Sequence, residues 1–220
     1  QAPRFAPDGR RVAFVREGER WTVDTAGGEE RRLTHDAAPG VTNGLAEYVA
    51  QEEMGRSQGF WWSRDGERLA FEQADDRHIP VFRIPHWGTA APHDVEEHRY
   101  PFAGGENARV RLGVVGAQGS AVTWCDLGDA EYLCRVDWPP AGRLFVPTMN
   151  RDQTRLELRA YDAATGRGTT LLVEASDTWV NLHDDLRFVR NTGEFVWSSE
   201  RTGYRQLHLY APDGSECHPV

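Results

Sequence analysis

Apolar and polar positions along this chain alternate in short runs, and the runs recur behind the same kind of turn signal. Phe5-Ala6-Pro7-Asp8-Gly9-Arg10-Arg11-Val12-Ala13-Phe14 matches Trp62-Ser63-Arg64-Asp65-Gly66-Glu67-Arg68-Leu69-Ala70-Phe71 position for position: an aromatic, a turn with Asp-Gly, then a short apolar strand. Two looser copies follow. Trp138-Pro139-Pro140-Ala141-Gly142-Arg143-Leu144-Phe145-Val146 is shorter by one residue, and the stretch from Phe188 to Trp197 turns on Asn191-Thr192-Gly193. Each copy predicts a β-hairpin, because Gly tolerates the positive φ that such turns need and the flanking apolar residues suit a buried strand.

A second turn follows each hairpin: Thr25-Ala26-Gly27-Gly28, Gly116-Ala117-Gln118-Gly119, Ala163-Ala164-Thr165-Gly166 and Pro212-Asp213-Gly214. Arg155 to Tyr161 and Gln206 to Tyr210 alternate with period two, as a strand with one buried face does. Each unit thus has four strands, the pattern of a β-propeller blade. The expected fold is all-β, a β-propeller of about four consecutive four-stranded blades, approximately 1–41, 57–128, 129–175 and 176–220. The repeat aromatics, with Trp197, Tyr204 and Tyr210, are expected in the blade cores.

The second unit departs from the pattern twice. Asp75 to Asn107 is too long for a tight connection and reads as a functional excursion or a subunit contact. Leu45 to Arg56 has no Gly or Pro before Gly55 and is apolar at Leu45, Tyr48, Val49 and Met54, which predicts an inserted helix at about 45–55. Thr42 or Asn43 could cap it and Gly55 could end it. Glu52 and Glu53 then fall in its last turn, where the helix dipole disfavours acids by some tenths of a kcal/mol.

Composition narrows the partners. A formal net charge of -9 argues against nucleic acid, which is held by clustered basic residues, and favours a cationic ligand or peptide. No apolar run approaches the roughly 18 residues of a membrane span. The chain opens Gln1-Ala2-Pro3 without Met or a signal-peptide pattern, so it is expected to be cut from something longer. Cys125 and Cys134 flank Leu127-Gly128-Asp129 and could face each other across adjacent strands or be free buried thiols; with Cys217 the count is odd. His93 and His98 around Glu96-Glu97, and Asp75-Asp76 before His78, fit neither zinc nor calcium spacing and read as solvated loop charges, so no metal and no cofactor is expected.

Adjacent carboxylates can bracket an ammonium group, and a peptide α-amine with a pKa of roughly 7.7 to 8.0 is largely protonated at neutral pH. Glu52-Glu53 could equally be a solvated helix face. The surrounding residues weigh on that choice. Glu47-Tyr48-Val49-Ala50-Gln51-Glu52-Glu53 followed by Trp61-Trp62-Ser63 resembles the double-glutamate helix and following strand of the dipeptidyl peptidase IV family of prolyl-oligopeptidase-type serine peptidases. Tyr100-Pro101-Phe102-Ala103-Gly104 with Asn107 and Val110, the stretch Thr178 to Asp185, and Ser199 to Arg205 also resemble segments of that family.

The resemblance implies release of N-terminal dipeptides after Pro or Ala, with peptide N-termini as the ligand. It places the α-amine anchor on Glu52 and Glu53, and a side chain lining the pocket for the substrate's second residue on His183, which could otherwise be a hydrogen-bonded blade residue. No Gly-x-Ser-x-Gly elbow is present, Ser57 coming nearest, so no catalytic residue is expected here. The resemblance puts the nucleophile in a C-terminal α/β-hydrolase domain beyond the chain, and a carbonyl-gripping arginine before Gln1. It also implies that these blades are about half of an eight-bladed ring, in a secreted, periplasmic, membrane-anchored or cytosolic parent. Four blades alone leave exposed sheet edges, so a homo-oligomer is expected. Two alternatives stay open: a non-enzymatic scaffold for protein contacts, and a family member that has lost its nucleophile.

Overall fold

The computed structural model describes residues 1–88, 95–139 and 142–220. Strands β1 (Arg4–Phe5), β2 (Arg11–Arg16), β3 (Glu19–Asp24) and β4 (Arg31–Arg32) form an antiparallel meander in chain order. Then come β5 (Val41–Asn43), helix α1 (Tyr48–Glu52), β6 (Phe60–Trp62) and β7 (Arg68–Asp75). A two-stranded ribbon of β8 (Val81–Pro85) and β9 (Val95–Arg99) precedes β10 (Arg109–Gly116) and β11 (Thr123–Cys125). In this second sheet β5 and β6 share one edge of β7, pairing with Gln73 to Asp75 and Leu69 to Phe71 respectively, and β10 lies on the other edge. The third sheet is β12 (Tyr132–Leu133), β13 (Leu144–Met149), β14 (Arg155–Tyr161) and β15 (Gly168–Ala175). The fourth is β16 (Arg187–Phe188), β17 (Phe195–Ser199), β18 (Gln206–Tyr210) and β19 (Glu216–Pro219).

Three apolar layers join the sheets in series. Ala13 and Leu33 meet Phe60, Leu69 and Phe71 between the first and second sheets. Ala70, Leu112 and Val114 meet Leu144, Val146 and Tyr161 between the second and third. Phe145, Leu156 and Leu158 meet Phe195, Trp197 and Tyr210 between the third and fourth. β13 of the third sheet, lying between two of these layers, is buried along its whole length, whereas β14 alternates between buried and more exposed positions. The all-β architecture and the turn signals stand as expected: Gly9 and Gly66 of the two matching hairpins share φ at +71°, the left-handed value that Gly adopts without strain.

Several local expectations change. Helix α1 is shorter than 45–55, because Thr42 and Asn43 belong to β5 and the cap is Glu47, whose side chain accepts from the amides of Val49 and Ala50. The Asn43 side-chain amide is already committed to Glu19 and Asp36. The hairpin aromatic Trp138 precedes β13 outside any strand, since Pro139 next to it has no amide to donate; only Asp137 bridges to Phe145 there. Pro140 and Ala141 of that turn lie outside the described residues. Tyr204, 81% exposed, sits in the turn between β17 and β18, and Phe5, 69% exposed, lies on edge strand β1, so neither is core. Cys125 and Cys134 are free and buried, and burial pushes both thiols up to about 12.

Candidate functional site

Five residues are too few for a helix to hold itself in water, so α1 depends on what it is fastened to. Its apolar contact is small: within the helix only Ala50 is buried, Tyr48 being exposed and Val49 half-buried, while Ala46 and Met54 are buried on its flanks and Leu45 is half-buried. Beneath it lies Glu72 of β7, with no exposed surface, although β7 is otherwise apolar from Leu69 to Phe71. One Glu72 carboxylate oxygen accepts from the Glu47 amide at 2.8 Å, and the other stands 2.5 Å from Arg56 Nη2. Arg56, itself buried, also donates to the carbonyls of Gln58 at 2.7 Å and of Leu133 at 2.9 Å. Burial pushes Glu72 up to about 7, with the Arg56 charge pulling the other way.

Glu52 ends α1 and Glu53 is its C-cap, so the two acids do fall at the C-terminal turn. Both are exposed, and the side chain of neither makes a hydrogen bond or ion pair among the described residues. The neighbouring Tyr48 phenol titrates above its ordinary value, through Tyr100 first and the charges of Glu52 and Glu53 after it. Tyr48 packs edge-on against Tyr100 at 5.1 Å, and Tyr100 against Phe102 at 5.0 Å, which joins the helix to the base of the β8–β9 ribbon.

His183 lies in the connection between β15 and β16 with its side chain only 7% exposed. Its ring meets Trp197 edge-on at 4.2 Å, and Nδ1 accepts from the Asp185 amide at 3.2 Å. Nε2 is buried and makes no hydrogen bond among the described residues, and desolvation lowers the pKa of the ring. His183 lines two cavities. One, of about 450 Å³, also takes in Glu174, Trp179, Asn181 and Arg205. The other, of about 430 Å³, is shared with Gly55, Arg56 and Ser57, the residues that follow α1. Glu52 and Glu53 line neither.

Arg135 ties the two elements together: it donates to the Met54 carbonyl at 2.9 Å and pairs with Asp184 at 2.6 Å. The Arg56–Glu72 and Arg135–Asp184 pairs are absent from the sequence-based expectations. One signal is present in the sequence, since Glu72 interrupts an apolar strand on the face of Ala70 and Ala74. Elsewhere, Glu96 accepts from His98 and from His86, and His93 lies outside the described residues. Among the described residues no three His, Cys, Asp or Glu side chains come together to hold a metal ion.

A family model for the dipeptidyl peptidase IV N-terminal region matches residues 1–220. Inactive dipeptidyl peptidase 10 of Rattus norvegicus is 29% identical over 185 residues, covering 80% of this chain and 23% of the rat protein. Dipeptidyl peptidase 8 of Mus musculus is 26% identical over 268 residues, covering 94% of this chain and 30% of its own. The crystal structure of Porphyromonas gingivalis dipeptidyl peptidase 4 superimposes with a TM-score of 0.89 at 26% identity, covering all of this chain and 32% of that one. This chain thus spans under a third of the length of these relatives. With its serial antiparallel sheets and its match from first residue to last, it belongs to the family of the dipeptidyl peptidase IV N-terminal region.

Proposed function

We propose that this chain is the substrate-gating propeller segment of a serine exopeptidase that releases Xaa-Pro and Xaa-Ala dipeptides from peptide N-termini. The observation that carries the reading is the state of Glu52 and Glu53: adjacent, exposed and unpaired among the described residues, on a helix anchored from beneath by other charges. Fold stability makes no use of these two acids. A protonated α-amine placed between them gains charge-assisted hydrogen bonds of roughly 1.5 to 3 kcal/mol each. An amine fixed there limits how much of the peptide reaches beyond it, which sets a dipeptide as the product. His183, on the cavity shared with the end of α1, would line the pocket for the substrate's second residue.

The nucleophile and its partners belong to a C-terminal hydrolase domain of the same protein, which also closes the substrate chamber. The test uses that full-length protein. It should hydrolyse a Gly-Pro chromogenic amide and leave the same amide untouched once its amine is acetylated. Equal turnover of the two would overturn the amine anchor.

A second reading is favoured by one relative, named an inactive dipeptidyl peptidase, at 29% identity. In that reading the full-length protein keeps the family architecture and serves protein contacts without hydrolysis. Absence of turnover on the free-amine substrate, together with a downstream sequence lacking a Gly-x-Ser-x-Gly elbow, would select it.

A further inference from the structure

We propose that the buried Arg56–Glu72 ion pair is the positioning element of the double-glutamate helix, fixing α1 to β7 and to the third sheet so that Glu52 and Glu53 are presented in one place. The proposal rests on the amine-anchor reading for its functional consequence, and on geometry alone for its structural part.

The contacts converge on this pair from both flanks of the helix. Glu72 receives the Glu47 amide at 2.8 Å, immediately before α1, and its own carbonyl receives the Gly44 amide at 2.6 Å. Arg56, just after α1, sends its amide back to the Ala50 carbonyl at 2.9 Å and its guanidinium to Glu72, Gln58 and Leu133. Leu133 belongs to β12, so the same guanidinium reaches the neighbouring sheet. Arg56 Nε is left without a hydrogen bond among the described residues.

Stability does not account for the pair, because a well-packed apolar replacement of a buried ion pair is often neutral or stabilising. A helix whose one buried residue is Ala50, with Ala46 and Met54 buried on its flanks, offers little shape to fix its position. Directional bonds supply what that face lacks, and a registry role is the best-attested use of buried polar pairs. The hydrogen bonds of Glu72 and Arg56 go to the backbone on either side of Glu52 and Glu53, so the pair acts on the two acids through the backbone of α1.

The experiment compares the full-length wild type with Glu72→Gln and with the double variant Arg56→Met/Glu72→Leu, which removes both charges and avoids leaving one unpaired. Amide hydrogen exchange is followed in peptides covering 47–56 and in the four sheets, alongside kcat and KM on the Gly-Pro amide. The expected result is exchange faster by about tenfold confined to 47–56, and KM raised by about tenfold with kcat within about twofold. Unchanged exchange over 47–56 in the double variant, or acceleration spread evenly over all sheets, overturns the proposal. Localised acceleration with an unchanged KM overturns its functional half. Glu52→Gln serves as the control for the underlying reading: wild-type KM in that variant removes the amine anchor, and the exchange data still decide whether the pair positions the helix.

Discussion

Arg135 and Asp184 form an ion pair with Nε 2.6 Å from the carboxylate, and the same guanidinium donates to the carbonyl of Met54. One side chain of the segment after β12 therefore links the residue that follows Glu53 to the residue that follows His183. Pairing with Arg135 also holds the Asp184 carboxyl below its ordinary range.

Removing that link should affect substrate positioning more than stability. Asp184 is 74% exposed, and exposed ion pairs contribute only about 0 to 1 kcal/mol. Arg135→Met in the full-length protein is expected to raise KM for the Gly-Pro amide by about tenfold with little change in Tm. An unchanged KM would show that the two elements hold their places independently.

Arg20 makes a separate prediction. It has no exposed surface, its three guanidinium nitrogens make no hydrogen bond among the described residues, and it stacks 3.3 Å from the centre of the Phe60 ring. Burial lowers its pKa to about 9. The cation–π contact only partly offsets the cost of that buried charge, so Arg20→Met should stabilise the fold by about 1 to 4 kcal/mol. Urea unfolding reads the change, and a lower midpoint in the variant would contradict it.

The pH dependence of stability follows from Glu72. Burial holds its carboxyl at about 7 against an ordinary 4.5. Between those values the folded protein keeps a proton that the unfolded chain has released, so stability falls as pH rises through the window. Urea midpoints should therefore decline across it in the wild type, and Glu72→Gln should remove that part of the slope. A wild-type slope retained in full by the variant would assign it to other groups.

The β8–β9 ribbon bears on self-association. Val81, Phe82, Ile84 and Val95 are each more than two-fifths exposed, and no described strand besides its partner pairs with either strand of the ribbon. A second copy of the protein is expected to cover it. Sedimentation should show a dimer or larger assembly that Phe82→Asp with Ile84→Asp converts to monomer; an assembly indifferent to both changes would place the contact elsewhere.

Sequence and structure agree where local chemistry decides. Asp8-Gly9 and Asp65-Gly66 specify their turns outright, and alternation in Arg155 to Tyr161 sets which face of β14 is buried. What escapes the sequence depends on partners distant along the chain. Asn43 suits a helix cap by residue type, yet its side-chain amide is drawn to Glu19 and Asp36, and Glu47 takes the role. Tyr48 belongs to the apolar pattern of the helix but rests on the Tyr100 ring at the surface. Arg56 meets Glu72 across the helix and Leu133 from another sheet, an arrangement that no local spacing announces. Of the candidate site, the acids and His183 stand out by resemblance; of the charges around them Glu72 leaves a trace in the sequence, as a polar interruption of an apolar strand, and its pairing with Arg56 becomes visible only in three dimensions.

Receipt of a peptide α-ammonium by Glu52 and Glu53 is tested most directly by kcat/KM of the full-length protein on the free-amine Gly-Pro amide. Glu52→Ala and Glu53→Ala are each expected to lower it by about a hundredfold or more while leaving the unfolding midpoint in place. Wild-type kcat/KM in both variants would contradict the anchor role.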